Sequence, residues 1–162
     1  MSDPYGSHIF VLADVCSYIY PKTAIELGMG PYSTQFLLKV VGEKLISIET
    51  ESEEWFKRIS VMCKSNKWTS VFDRERTELE IIQGLKADLV LVDGASAMRV
   101  PVCSYAQTIA DTVICHDAEY HAYVKAPFCQ YVKVIDEKPY TAVYSTNTGL
   151  IEYLKERHTC ES

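Results

Sequence analysis

The spacing of apolar positions along the chain changes repeatedly, and each change marks an element. Ile9, Leu12, Ala13, Cys16, Ile19 and Tyr20 recur at the three-and-four spacing of one helical face, which predicts an amphipathic helix over 6–19, ended by Pro21. Residues 23–27 form a short apolar run of strand type. A helix-like run follows at 35–41, with Gly42 where a helix-ending glycine belongs, and 44–49 reads as a second strand. Trp55, Ile59, Met62 and Cys63 share a face of a helix over 51–64. Its first turn carries Glu51, Glu53 and Glu54, which suits the positive end of the helix dipole. The alternation continues with a strand at 69–73 and a helix at 78–86. The unbroken apolar run at 88–93 is expected of a strand buried on both faces. A helix near 100–110, with Pro101 in its first turn, and a strand at 112–115 complete the series.

Beyond residue 118 the rhythm breaks. The runs 131–136 and 140–145 are strand-like and are joined by Glu137-Lys-Pro139, which reads as a hairpin, and 149–157 reads as a last helix. Five alternations of strand and helix require a parallel sheet with helices on both faces, and the hairpin adds an antiparallel edge. The expected fold class is therefore α/β, with three layers around a mostly parallel sheet of about seven strands. With 162 residues the chain suits one domain with a sizeable core. Its expected parts are a helix over 1–20, strand–helix units over 22–118, and a closing hairpin and helix over 119–162.

Composition narrows the partners. Hydrophobic residues at 48% against 23% charged form a globular balance that excludes a disordered chain. A net charge of −6 with no local Lys/Arg cluster argues against a nucleic-acid partner. The apolar run after Gly6 is too short and too interrupted to cross a membrane and lacks the basic start of a signal peptide, so a cytoplasmic protein without a membrane partner is expected. The six cysteines include no Cys-x-x-Cys pair and lie mostly in apolar segments, which reads as free packed thiols in a reducing compartment.

The candidate chemistry collects where strands end. Open parallel sheets bind ligands beyond the carboxyl ends of their strands. The first strand is followed by Glu26-Leu-Gly-Met-Gly-Pro-Tyr-Ser-Thr34, in which Gly28 and Gly30 let the backbone turn and approach a ligand, and the next helix offers free amides. Ser33 stands where a dinucleotide fingerprint has its third glycine, and no Gly-Lys-Ser/Thr is present. A nicotinamide cofactor or a phosphate loop therefore fits poorly. Glu26 ahead of the loop suits a cationic ligand or an ordered water. Nearly every other strand also closes on an acid: Glu49, Asp73, Asp93, and the pair His116-Asp117. Glu49, about 20 residues beyond the loop, is placed to accept hydrogen bonds from ribose hydroxyls, or else to cap the helix that follows.

These residues resemble a family. Glu26-x-Gly-x-Gly-x-x-Ser-Thr34 resembles motif I of the Rossmann-like (class I) S-adenosylmethionine-dependent methyltransferases, and Ile46-Ser-Ile-Glu49 resembles their motif II. Val90-Leu-Val-Asp-Gly-Ala95 and Val113-Ile-Cys-His-Asp-Ala118 resemble the small-molecule O-methyltransferase-like branch, and the likeness spans 23–144. The resemblance implies that Gly28, Gly30 and Ser33 form the loop around the methionine part of S-adenosylmethionine, with Glu26 near its amino group. It implies Glu49 on the ribose, Asp73 beside the adenine amine, and Asp93 where cofactor and acceptor meet. In metal-dependent members of the branch, acids at the matching positions hold a divalent cation. Asp93 and Asp117 would then hold Mg²⁺, with His116 beside them, unless they cap the helices that follow.

The activity implied is methyl transfer from a sulfonium to an oxygen or nitrogen of a small or exposed acceptor, with the protein supplying alignment and a base or metal. Two departures bear on this. Asp93-Gly-Ala-Ser96 lacks the histidine usual in that branch, which leaves His116 and His121 as candidate bases. The segments that would roof an acceptor are also short, so the acceptor site is shallow, completed by a second copy of the chain, or shaped for part of a larger molecule. A protein that keeps the fold and cofactor without catalysis is the alternative, and a nicotinamide-dependent oxidoreductase fits the loop less well. Tyr120, Tyr123 and Tyr131 read as pocket lining or packing, Trp55 and Phe56 as packing, and His8 and His158 attract no role.

Overall fold

Runs rich in valine, isoleucine and leucine build the centre of one sheet in the computed structural model, which describes residues 8–121 and 123–161. The strands are β1 (Thr23–Leu27), β2 (Lys44–Glu49), β3 (Trp68–Phe72), β4 (Ala87–Val92), β5 (Ala110–Cys115), β6 (Gln130–Val134), β7 (Thr141–Ser145) and β8 (Cys160–Glu161). Their spatial order is β3-β2-β1-β4-β5-β7-β6-β8. The pairs from β3 through β5 are parallel, whereas β7 runs antiparallel to both β5 and β6. The expected hairpin is present. The sheet has eight strands rather than about seven, because the two-residue β8 adds to β6 through Val134 and Lys133. So short a strand has no periodicity to read.

Among the described residues six α-helices flank the sheet: α1 (Ile9–Ile19), α2 (Ser33–Val40), α3 (Glu53–Met62), α4 (Glu78–Ile81), α5 (Arg99–Ala106) and α6 (Thr148–Arg157). Alternate residues of β4 separate the two cores. Leu89 and Leu91 pack with Leu12 of α1, Leu37 of α2 and Leu150 of α6, while Val90 and Val92 pack with Val102 and Ala106 of α5 and with Ile82. This is the three-layer arrangement that a period-two strand buried on both faces produces. A smaller cluster joins Met29 of the glycine loop to Ile59 and Cys63 on and after α3.

Several boundaries differ from expectation. The helix expected over 78–86 closes at Ile81, and Gly84 turns the chain at φ 77°. Gly42 is not a left-handed helix cap. Val41 leaves α2 in extended conformation, and the Gly42 amide donates instead to the Pro21 carbonyl at 3.0 Å. Glu51 precedes α3, whose N-cap Ser52 accepts from the Trp55 amide. The expectation of free thiols throughout also needs correction. Cys103 on the inner face of α5 and Cys115 at the end of β5 are joined as a disulfide, leaving Cys16, Cys63, Cys129 and Cys160 as free thiols. Packing α5 on β5 brings the two sulfurs together without any short sequence motif, and cysteine usage no longer argues for a reducing compartment. Among the described residues no helix is long and apolar enough to cross a membrane.

Strand order reverses between β1 and β4, so the chains leaving these two strands diverge and open a crevice. The Gly28 amide donates to the Ile48 carbonyl at 2.9 Å, and the Asp93 amide donates to the Leu27 carbonyl at 2.8 Å. These bonds tie the loops after β1 and β4 to the sheet at the mouth of that crevice.

Candidate functional site

The glycine loop is shaped by a close approach of two backbones. Gly28 has φ 82°, and a Cβ there would lie 2.6 Å from the Asp93 carbonyl carbon, inside contact distance. Only glycine permits both the left-handed angle and the contact. The next carbonyl, that of buried Met29, accepts the Trp55 indole N–H at 2.5 Å, so α3 pins the loop from the other side. Trp55 therefore belongs to the site rather than to packing alone.

Below the loop lies a buried polar chain ending on Glu26. The Gly30 amide donates to Thr34 Oγ1 at 3.1 Å, and the Thr34 hydroxyl donates to the Glu26 carboxyl at 2.8 Å. Ser47 donates to the same carboxyl at 2.6 Å and accepts from the Trp68 indole at 3.0 Å. Glu26 is fully buried and does not face the cleft described below. Burial pushes its carboxyl up to about 7, against the lowering effect of the Ser47, Ser33 and Thr34 hydroxyls. The structure makes Glu26 a brace under the loop, whereas Ser33, at the start of α2, reaches the cleft.

Glu49 ends β2 at the cleft wall and is buried. Its Oε1 accepts the Glu51 and Ser52 amides at 2.8 and 3.1 Å, which holds the turn into α3. Ser52 rather than Glu49 caps α3, so the capping expectation is not met; one Glu49 oxygen holds the turn, and among the described residues the other carries no hydrogen bond. Asp73 is placed differently. It accepts Arg76 Nε at 2.7 Å and the Glu75 and Arg76 amides, closing its own loop, and does not line the cleft. The Arg76 bond and these amides hold its carboxyl below the usual range. Glu78, which the sequence did not single out, is buried at the start of α4, where Oε1 accepts the Ala95 amide at 3.2 Å. Burial raises its carboxyl to about 7.

The ends of β4 and β5 carry the densest cluster. His116 Nδ1 stands 2.9 Å from Asp93 Oδ1 and 3.7 Å from Asp117 Oδ1. Arg99, at the start of α5 and only 10% exposed in its side chain, lies between the two acids. Its Nη2 is 3.3 Å from Asp93 Oδ1, and its Nη1 pairs with Asp117 Oδ2. Asp117 holds a left-handed angle of 55°, tolerated by aspartate, which turns its carboxylate toward the guanidinium. Burial disfavours the Asp93 carboxylate, but His116, His8 and Arg99 together keep its carboxyl below the usual range. The Mg²⁺ site expected at Asp93 and Asp117 is therefore not supported, because the chain's own cation bridges the two acids. Neither acid caps a helix: the short 3-10 turn at Ser96–Met98 and α5 have no side-chain cap bond.

His8 completes this cluster. It precedes α1, is 1% exposed, and its ring meets the His116 ring with centroids 4.6 Å apart. Burial pushes its imidazole down to about 4, so it is neutral near pH 7. His121, by contrast, rests near Tyr123 and does not line the cleft. Tyr123 donates to the His116 carbonyl at 2.9 Å and packs edge-on to Tyr144, which also contacts Tyr131. Tyr120 is exposed, so none of the three tyrosines forms the wall.

Together these parts enclose a cleft of about 500 Å³. The loop from Gly28 to Pro31 with Ser33, the turn from Glu49 to Trp55, and the cluster of Asp93, Arg99, His116, Asp117 and His8 face one another across it. Both polar and apolar surfaces are offered, as an amphiphilic cofactor requires.

No known protein-family model matches the chain, and no curated protein matches its sequence. Solved structures do match. The O-methyltransferase from Bacillus cereus in complex with SAH superposes at TM-score 0.61 with 13% identity, covering 90% of this chain and 82% of that one. Cofactor-bound Rv0187 from MTB gives 0.62 and 15%, covering 90% and 81%. The ribosomal protein L11 methylase from Lactobacillus delbrueckii subsp. bulgaricus gives 0.62 and 12%, covering 90% and 80%. The chain thus has the α/β Rossmann-like fold of class I S-adenosylmethionine-dependent methyltransferases, on a mixed, mostly parallel sheet with antiparallel C-terminal strands.

Proposed function

We propose that the chain binds S-adenosylmethionine in the cleft and transfers its methyl group to an oxygen or nitrogen of a small or exposed acceptor. The observation that carries this reading is the facing pair of the Gly28–Gly30 loop and Glu49. A backbone bent by glycine approaches from one side, and a carboxylate with one uncommitted oxygen stands opposite, as the amino-acid and ribose ends of such a cofactor require. The cofactor would supply an activated methyl and its own leaving group. The residues of this chain bind and orient it, and His116, held at Nδ1 by Asp93, is the group placed to take a proton from the acceptor. The small-molecule O-methyltransferase-like branch remains the one the Asp93 and His116-Asp117 motifs favour.

A second reading, cofactor binding without transfer, is favoured by Arg99, whose guanidinium fills the space between the two acids where an acceptor or ion would otherwise be polarised. Titration decides first on the cofactor. S-adenosylmethionine and S-adenosylhomocysteine should each raise Tm by ~5–10 °C at about 100 times Kd, Glu49→Ala should remove most of that shift, and NADH should give none. Stabilisation by NADH alone would overturn the proposal. Binding without turnover, across alcohol, catechol and amine acceptors, would favour the second reading.

A further inference from the structure

His8 poses a chemical problem that the cofactor site does not solve. Its ring is buried, yet neither Nδ1 nor Nε2 has a hydrogen-bond partner among the described residues. A buried imidazole without partners is costly to the fold and calls for an explanation. Its surroundings offer one. One ligand atom each from His8, Asp93 and His116 lie within 4.8 Å of one another. Ligands bound at about 2.1 Å to a tetrahedral ion stand ~3.4 Å apart, so a small rotation of the His8 ring would complete the set. The 2.9 Å separation of His116 Nδ1 and Asp93 Oδ1 is already of that order.

We propose that His8, Asp93 and His116 form a binding site for a divalent first-row transition-metal ion of the zinc type. Two imidazoles and one carboxylate are borderline ligands that suit such ions, unlike the all-oxygen set that Mg²⁺ requires. Asp93 and Asp117 share a single guanidinium, Arg99, which pairs more closely with Asp117 and leaves Asp93 facing the two imidazoles. On binding, the ion takes the place of the proton between His116 Nδ1 and Asp93 Oδ1, and the neutral imidazole carries its one ring proton on Nε2 instead. Three protein ligands leave a coordination position open, and because all three residues line the cleft, that position faces it. The binding itself does not rest on the methyltransferase reading.

The test uses the whole protein, stripped with chelator and titrated with Zn²⁺, and with Co²⁺ for its visible spectrum. One ion per chain is expected, with Co²⁺ bands of four- or five-coordinate geometry and no thiolate charge-transfer band. His8→Gln and His116→Gln should each weaken binding at least about 10-fold, while His121→Gln and His158→Gln bind as wild type. A thiolate band, an unchanged affinity in His8→Gln, or no stoichiometric binding would each overturn the proposal. Should either site variant fail to fold, side-chain nitrogen resonances of the wild type decide the matter. Zn²⁺ should shift those of His8 and His116, and their constancy would defeat the site. S-adenosylmethionine binding is measured separately on the metal-free protein, so failure of the ion site and failure of the cofactor reading are distinct results.

Discussion

The Nδ1 atom of His116 lies 2.9 Å from Oδ1 of Asp93, which links the ends of two adjacent parallel strands, β5 and β4. The register that pairs Val92 with Cys115 sets the following residues side by side, so the contact is a product of sheet geometry rather than of loop conformation. A histidine so held has its ring oriented at Nδ1 by a carboxylate, the arrangement used by positioned bases.

Asp93→Asn keeps the shape of this contact and removes its charge. If His116 takes the acceptor proton, kcat should fall by about 10²-fold or more while Kd for S-adenosylmethionine changes little, as expected when a base loses its orienting carboxylate. Steady-state kinetics beside calorimetry separates the two quantities. A loss confined to cofactor affinity would place Asp93 in binding alone.

Gly28→Ala attacks the loop itself. The φ of 82° costs roughly 1–2 kcal/mol for a residue with a Cβ, and the added carbon meets the Asp93 carbonyl, which is backbone and cannot swing aside. The variant should lose several degrees of Tm and its cofactor affinity together. Gly84→Ala shares the positive φ but has open space around it, so it should lose some stability and retain binding.

Much of this was readable from residues in order along the chain. The first two strands carry the boundaries that their apolar runs predict, 23–27 and 44–49, because strands buried on both faces admit few polar residues. The acids and glycines at strand ends were legible for the same reason, since each follows directly on such a run. What escaped notice was set by tertiary contact. His8 sits far from Asp93 and His116 in sequence and meets them only because α1 begins at the carboxyl edge of the sheet. Arg99 lies just before the helix expected near 100–110 and drew no reading; the turn at Ser96–Met98 brings it against Asp93. Asp73 shows the converse: strand-end position alone marked it, but its own loop consumes its carboxylate.

The pairing of Cys103 with Cys115 has a simple chemical check. The chain has six cysteines and four of them are free, so the unfolded, unreduced protein should titrate four thiols and the reduced protein six. Six thiols before reduction would show that the two sulfurs are in contact without being bonded.

Glu26 makes stability depend on pH in a direction opposite to that of an ion-paired carboxylate. Burial raises its carboxyl from 4.5 to about 7 in the fold, while the unfolded chain restores the ordinary value. Between these values the native state holds a proton that the unfolded state has lost, so stability declines as pH rises. Its contribution is complete below about pH 4.5 and is lost as pH climbs through about 7. Beyond that, the fold carries a buried charge eased by the hydroxyls of Ser47, Ser33 and Thr34. The cost is on the order of 3 kcal/mol. Glu78 follows the same sign, with its carboxyl also raised to about 7 by burial, so a Glu26→Gln variant retains part of the slope. Glu26→Gln mimics the protonated acid. Near pH 5 it should match the wild type in denaturant midpoint, and near pH 8 it should exceed it, with the gap opening between pH 5 and 8. The loop reports the same event, because ionised Glu26 accepts more strongly from Thr34, which in turn receives the Gly30 amide. The Gly30 amide resonance should therefore titrate near pH 7 in the wild type and stay constant in Glu26→Gln. A variant less stable than wild type at both pH values would mean that the hydroxyl network requires the carboxylate charge.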